Sequence, residues 1–160
     1  MSEREYYSGL GFDVHSFANE PKPLILGGAK LSDDNGLLAV SDGDVLLHAV
    51  CDAICGACCL GDIGDYFPPE DDSSKGIDSK NILDFILKKI DGHFRTVNID
   101  VTLIADRPKL KGYKEQIKNS LITLLGTESV NIKIKSKEQL PILGGADAIA
   151  CIAVAGVAGC

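Results

Sequence analysis

Residues Ser41–Pro68 read SDGDVLLHAVCDAICGACCLGDIGDYFP. The opening has the form of a helix N-terminus, with Ser41 as N-cap and Asp44, three residues on, completing a capping box. Asp42 and Asp44 put negative charge where the helix dipole favours it. Val45, Leu46, Ala49, Ala53, Ile54 and Ala57 recur at helical spacing, which predicts a central helix from about Asp42 to Leu60, ended by Gly61 and Gly64. His48 lies one turn after Asp44 and one turn before Asp52, so the three can share a face. A histidine buried beside carboxylates is either a satisfied polar pair or half of a site, and this stretch alone leaves both readings open.

A second stretch, Gly9-Leu10-Gly11-Phe12-Asp13-Val14-His15, bears on that choice. On an extended strand Asp13 and His15 point the same way. A carboxylate oxygen and an imidazole nitrogen are suitable zinc ligands, and His48 is the best candidate for a third. Two histidines and one aspartate leave a fourth position open, the pattern of a catalytic rather than a structural zinc site. His93 has no such company and reads as surface.

The chain has 160 residues and is 45% hydrophobic, enough for one domain with a full core over residues 1–160. Its net charge of −7 and the lack of a dense basic tract argue against nucleic acid as a partner. A phosphorylated substrate stays open, because a bound metal can overturn the global field. With no signal peptide and no apolar run of about 18 residues, the chain reads as a soluble cytoplasmic protein without a membrane partner. Cys51, Cys55, Cys58 and Cys59 are expected inside the central helix as small apolar filling. The formal CxxC at 55–58 has no second pair at matching distance, since Cys151 and Cys160 do not form one.

Along the rest of the chain, residues 1–6 are expected to fray. Strands are predicted at Tyr7–Val14, Leu24–Gly27, Val97–Ala105 and Val130–Ser136, and Lys30–Val40 reads as irregular. Helices are predicted from Asp78 or Ser79 to Asp91 and over 112–125. Between the first two helices runs a long acidic loop, Gly61–Gly76, of a length that is often functional. Ala148–Gly159 is apolar on all sides, and periodicity does not separate buried helix from buried strand there. One explanation is packing against copies of itself. The fold class is α+β: a layered domain with a mixed sheet, helices on one face, and the other face open to another subunit.

The chain resembles the 2-C-methyl-D-erythritol 2,4-cyclodiphosphate synthases of the non-mevalonate isoprenoid pathway. The resemblance spans nearly the whole length. It rests on Gly9–Phe17 (GLGFDVHSF), Ser41–Ala49 (SDGDVLLHA), Leu60–Pro68 (LGDIGDYFP), Asn98–Leu110 (NIDVTLIADRPKL) and Val130–Glu138 (VNIKIKSKE). It implies a homotrimer with active sites between subunits, sheets facing the threefold axis, and a strand at Ala148–Gly159. Asp13, His15 and His48 match the family's zinc ligands, and Glu138 matches the carboxylate that holds Mg2+ or Mn2+ on the diphosphate. Ser41, Asp62, Ile63 and Gly64 match positions that hold the methylerythritol phosphate. The loop Phe67, Pro68, Pro69, Glu70, Asp71 lies in the same pocket. Ala105, Asp106, Arg107, Pro108, Lys109, Leu110 and Lys111 match the cytidine pocket, contributed by the neighbouring subunit. Ser136 matches a threonine that positions phosphates.

The implied reaction is intramolecular: the 2-phosphate attacks the β-phosphorus of the cytidine diphosphate part, CMP leaves and a cyclic diphosphate forms. Such phosphoryl transfer is mostly positioning and electrostatics, so no protein nucleophile is required. Three departures stand out. Val40 occupies a position where the family commonly has a phosphate-touching histidine. Lys135, Ser136 and Lys137 replace a threonine-rich run, and the lysines add charge that either holds phosphate or is simply solvated. An arginine near Gly145 and a glutamate near Ile152, bordering the family's central cavity, are absent. Two other readings are a metal-dependent phosphohydrolase using water on zinc and a non-catalytic assembly module.

Overall fold

The computed structural model describes residues 5–160. Its elements are β1 (Tyr6–Ser16), β2 (Pro23–Leu26), β3 (Ala29–Asn35), α1 (Val45–Ala57), α2 (Ser79–Ile90), β4 (Phe94–Ile104), α3 (Lys114–Leu125), β5 (Val130–Lys135) and β6 (Ala148–Gly159). Four strands form a mixed sheet in the order β1-β6-β4-β5, and β2 and β3 make a separate antiparallel ribbon. Among the described residues only the β4–β5 pair is parallel. Helix α1 packs on β1, β6 and β4, α2 packs on α1, and α3 packs beside β5. The α+β class with helices layered on the sheet is as expected. No helix among the described residues is long and apolar enough to cross a membrane.

Two glycines set how closely the layers meet. A Cβ on Gly9 would lie 2.1 Å from the Ala53 carbonyl oxygen, and one on Gly11 would lie 1.9 Å from that of Ala49. No side chain fits there, so α1 rests directly on the β1 backbone. The helix answers with small residues: Ala49, Ala53 and Ala57 are buried, as are Cys51 and Cys55. Asp13 and His15 continue the glycine-lined face of β1, because alternate strand residues share a face.

Helix α1 starts later than the sequence suggests. Its N-cap is Asp44, not Ser41, and it ends at Ala57 rather than Leu60. The reason is tertiary. The fully buried Asp44 carboxylate accepts from Leu47 N (3.0 Å) and also from Gly27 N (2.9 Å) and Gly28 N (2.6 Å). One side chain therefore caps the helix and holds the turn between β2 and β3. Of the four helix cysteines, Cys58 is the C-cap and Cys59 is exposed beyond it with φ of 56°.

Lys30–Val40 is not irregular throughout, since β3 covers its first part. Strand β4 begins three residues before the predicted start, at Phe94. The acidic loop contains two 3-10 turns, Ile63–Asp65 and Asp72–Ser74, capped by Asp62 and Asp71. The predicted fraying at residues 1–6 falls partly outside the described residues, and Tyr6 already belongs to β1. His93 is exposed, as read.

Ala148–Gly159 is a strand, β6, which pairs with β1 on one side and β4 on the other. It lacks polar alternation because both its faces are apolar, the one against α1 and the one away from it. The sheet face away from α1 carries Leu10 and Phe12 of β1, opposite Val154 and Ile152 of β6. Leu10 is 67% exposed and Phe12 43%. Toward the β5 edge the same face turns polar: Asp100 accepts from Lys133 Nζ (2.6 Å) and Asn131 Nδ2 (2.8 Å).

Gly11→Ala is expected to destabilise the protein by about 1–3 kcal/mol or more, because neither backbone can retreat without opening the core. Gly112→Ala, where an added Cβ meets nothing within 4 Å, is expected to change stability by less than about 1 kcal/mol. Urea denaturation of both variants checks the contrast.

Candidate functional site

Strand β1 and helix α1 bring three side chains to one point. Asp13 Oδ2 lies 2.9 Å from His15 Nε2 and 2.9 Å from His48 Nδ1, and the two ring nitrogens are 3.4 Å apart. At bond lengths of about 2.0–2.1 Å, the edge of a tetrahedral zinc site is about 3.3 Å. The donor set and its spacing thus fit a divalent cation with one open coordination position. Asp13, His15 and His48 form the group that could hold a metal ion among the described residues.

The cluster is electrostatically coupled. Burial works against the Asp13 carboxylate, yet the hydrogen bonds and charge of His15 and His48 hold its pKa well below the carboxylate range. Burial likewise works against a charged His48 ring, but the Asp13 carboxylate, with Asp44 and Asp42 behind it, raises its pKa overall. Asp44 and Asp52 do not join the cluster as the helical spacing suggested. Asp44 is committed to backbone amides, and Asp52 Oδ1 accepts from Ile63 N at 2.9 Å, anchoring the turn after α1.

Beside the two histidines is a cleft of about 170 Å³, lined by Val40, Ser41, Ile63, Phe67, Pro69, Ser74, Ile77 and Ile82. Its walls are apolar, with polar groups at the histidine end. Ser41 Oγ is 3.2 Å from His48 Nε2 and accepts from Gly43 N. The Ile63 N–H is taken by Asp52, so this residue offers the cleft its side chain. Asp62, Gly64, Glu70 and Asp71 are exposed and Pro68 is half-buried. Ser74 and Ser79 were not singled out from the sequence, where each resembles a turn or cap residue.

At the opposite edge of the sheet a second hollow, of about 380 Å³, is lined by Ala105, Pro108, Lys109, Leu110, Lys111, Lys114, Ile134, Lys135 and Ser136. Both hollows sit at the same end of the sheet, because Val14, Ala150, Ile104 and Lys135 fall in one row. They share no lining residue, and three strand spacings, roughly 14 Å, separate β1 from β5. Ser136 Oγ donates to Glu138 Oε1, and Glu138 has φ of 52°. Arg107 faces another way: it bonds Asp147 Oδ1 (2.8 Å) and the Ala146 carbonyl (3.1 Å) and stacks over Phe17.

Lys137 corrects both expectations for it. It neither faces a phosphate hollow nor is solvated, being 2% exposed. Its ammonium donates to the carbonyls of Leu143 (2.9 Å), Gly145 and Ala148 (2.7 Å), while its backbone N–H donates to Asp106 Oδ1 at 2.8 Å. Strand β5 ends at Lys135, which releases Lys137 from the alternation and lets it turn inward.

A model of the YgbB family matches residues 6–158. The chain is 45% identical over 153 residues to the bifunctional enzyme IspD/IspF of Aliarcobacter butzleri, an alignment covering 94% of this chain and 41% of that one. It is 46% identical to the 2-C-methyl-D-erythritol 2,4-cyclodiphosphate synthase of Shewanella denitrificans, covering 91% and 92%. The bifunctional IspDF of Campylobacter jejuni superposes with a TM-score of 0.92 at 35% identity, covering 99% of this chain and 43% of that one. A CDP-bound structure of a 2C-methyl-D-erythritol-2,4-cyclodiphosphate synthase gives 0.82 at 31% identity, covering 92% and 97%. The chain thus spans about two fifths of the length of the bifunctional relatives it matches.

The coupled cluster sets a pH signature for the metal-free protein. Asp13, held low, adds stability that is present above the ordinary aspartate value of about 3.9 and lost as pH falls through its folded value. His48, held high, adds stability that is full below about 6.5 and lost as pH rises through its folded value. Both act between about pH 4 and 6.5. Asp13→Asn is therefore expected to lower stability most in that window, by about 1.5–3 kcal/mol, with the gap narrowing toward pH 8. Urea midpoints of the two metal-free proteins across pH check this; a gap that does not change with pH contradicts it.

Proposed function

The chain belongs to the YgbB family, and on that basis we propose that it converts 4-diphosphocytidyl-2-C-methyl-D-erythritol 2-phosphate to 2-C-methyl-D-erythritol 2,4-cyclodiphosphate, releasing CMP. The observation that carries this reading is the convergence of Asp13, His15 and His48 beside the Ser41 cleft. Zinc held by these three ligands would neutralise phosphate charge and polarise a phosphoryl oxygen, and Mg2+ or Mn2+ on Glu138 would do the same for the diphosphate. The apolar walls of Ile63, Phe67 and Ile77 suit a branched carbon skeleton, and the Ser41 hydroxyl can donate to a phosphate oxygen. Exposed Lys109, Lys111 and Lys135 give the second hollow the positive charge a nucleotide diphosphate needs.

The two hollows of one protomer lie at opposite edges of the sheet and share no lining residue. We infer a homotrimer in which the Ala105–Lys111 hollow of one copy meets the histidine cleft of the next. The exposed apolar strip of Leu10, Phe12 and Val154 supports burial of that sheet face against other copies. Residues 1–160 are proposed as one synthase domain, and six unpaired cysteines suit a reducing, cytoplasmic setting.

The deciding assay supplies metal and the cytidylyl substrate and identifies products by mass. Cyclic diphosphate and CMP, formed without oxygen from labelled water, are expected from a sample whose light-scattering mass is three protomers. An uncyclised bisphosphate carrying that label, formed with CMP, would indicate a phosphohydrolase, and no turnover with no bound zinc would indicate an assembly module. His48→Ala is expected to lose most bound zinc, because one aspartate and one histidine are too few ligands.

Val40 is 45% exposed on the cleft and cannot donate a hydrogen bond. Lys137 cannot replace a lost donor, since its ammonium is bound to three carbonyls. Val40→His is therefore expected to be at least as fast in kcat/KM and up to about 10–100-fold faster, the equivalent of one charge-assisted contact of about 1.5–3 kcal/mol. A clear fall at equal zinc and equal trimer content would show that the cleft is built around valine.

A further inference from the structure

The distal nitrogen of His48 points away from Asp13, toward two serines. His48 Nε2 is 3.0 Å from Ser79 Oγ and 3.2 Å from Ser41 Oγ. Ser79 is the first residue of α2 and is fully buried. Its hydroxyl donates to Asp42 Oδ1 at 2.5 Å, and its backbone N–H donates to Asp42 Oδ2 at 3.0 Å. Asp42 Oδ1 also accepts from Asp44 N at 3.1 Å. Ionised Asp42 is an acceptor only, so the single Ser79 hydroxyl proton is directed to it. What Ser79 presents to His48 is a lone pair, which only an Nε2–H can meet.

We propose that Asp42 and Ser79 are positioning residues for metal binding, holding His48 with its proton on Nε2 and its Nδ1 lone pair aimed at the ion beside Asp13 and His15. The inference rests on the proposed reading of those three residues as a metal centre. A metal-ligating histidine is fixed in tautomer and orientation by the acceptor of its other nitrogen, and such partners typically change metal affinity by about 10–100-fold. A second consequence falls on Ser41. Its oxygen accepts from Gly43 N at 3.2 Å, and with Nε2–H directed to Ser79 its own proton stays available to a bound ligand. The two serines thus have different tasks although both lie within hydrogen-bonding reach of one nitrogen.

The test uses zinc alone, titrated against a competing chelator with the full-length protein, well below its melting temperature. Ser79→Ala is expected to bind zinc about 10–100-fold more weakly, and Ser41→Ala within about threefold of the unaltered protein. The cobalt-substituted Ser79→Ala protein is expected to show shifted visible bands, because His48 loses its fixed orientation. In the unaltered zinc-loaded protein, proton NMR should show an exchange-protected imidazole N–H on His48, near Ser79. Ser79→Ala with unchanged zinc affinity and unchanged cobalt bands, even if it melts lower, would overturn the proposal and leave Ser79 a packing residue. Loss of affinity in Ser41→Ala alone would overturn it as well, by making Ser41 the acceptor. An unaltered protein that takes up no zinc would overturn the metal-centre reading on which the proposal stands. If Ser79→Ala fails to fold, the NMR measurement still decides, since an unprotected His48 N–H contradicts the proposal.

Discussion

The backbone-to-backbone approach of α1 onto β1 is the constraint on which the rest depends. With carbonyls of Ala49 and Ala53 where Cβ atoms of Gly11 and Gly9 would stand, the helix is locked in depth and in register along the strand. That lock carries His48 to within hydrogen-bonding distance of Asp13, which follows Gly11 by two residues on the same strand face. Asp44 then fixes the helix start by taking amide protons from both the helix and the β2–β3 turn. A helix held at one end by a buried carboxylate and along its length by glycine contact has little freedom to shift its histidine.

Much of this was legible in the residues. The 3.6-residue period exposed α1, the Asp-x-His pair on a strand exposed two ligands, and His48 followed as the third. The start of the helix was not legible, because Ser41 and Asp44 are both acceptable caps and the choice is made by amides at 27 and 28. Strand β3 was hidden by the polar run Asp33-Asp34-Asn35, which reads as loop although Ala29 and Leu31 are buried. Strand β6 was ambiguous because its outer face carries apolar Ile152 and Val154 where a solvated face would carry polar residues, so no alternation marks it. The family resemblance supplied what periodicity did not.

Other features exist only through long-range contacts. Ser79 stands 31 residues after His48 and has the appearance of a helix-start residue. Nothing nearby in sequence marks its hydroxyl as the one facing an imidazole. Lys137 likewise follows directly on the strand predicted at Val130–Ser136, where its charge reads as either phosphate-holding or solvated, and only the return of the chain at 143–148 supplies the acceptors that draw it inside. Sequence patterns report which face a residue takes while an element lasts, and they say little about the first residues after it ends.

The Lys137 ammonium, ringed by three carbonyls, is a chelated cation that happens to be covalently attached. Here the cation arrives with the chain at one per protomer and is shielded from bulk electrolyte by burial. The Lys137 contacts that hold this turn are therefore screened little by salt, while its exposed Arg107–Asp147 ion pair and the exposed lysines of the neighbouring hollow respond to it.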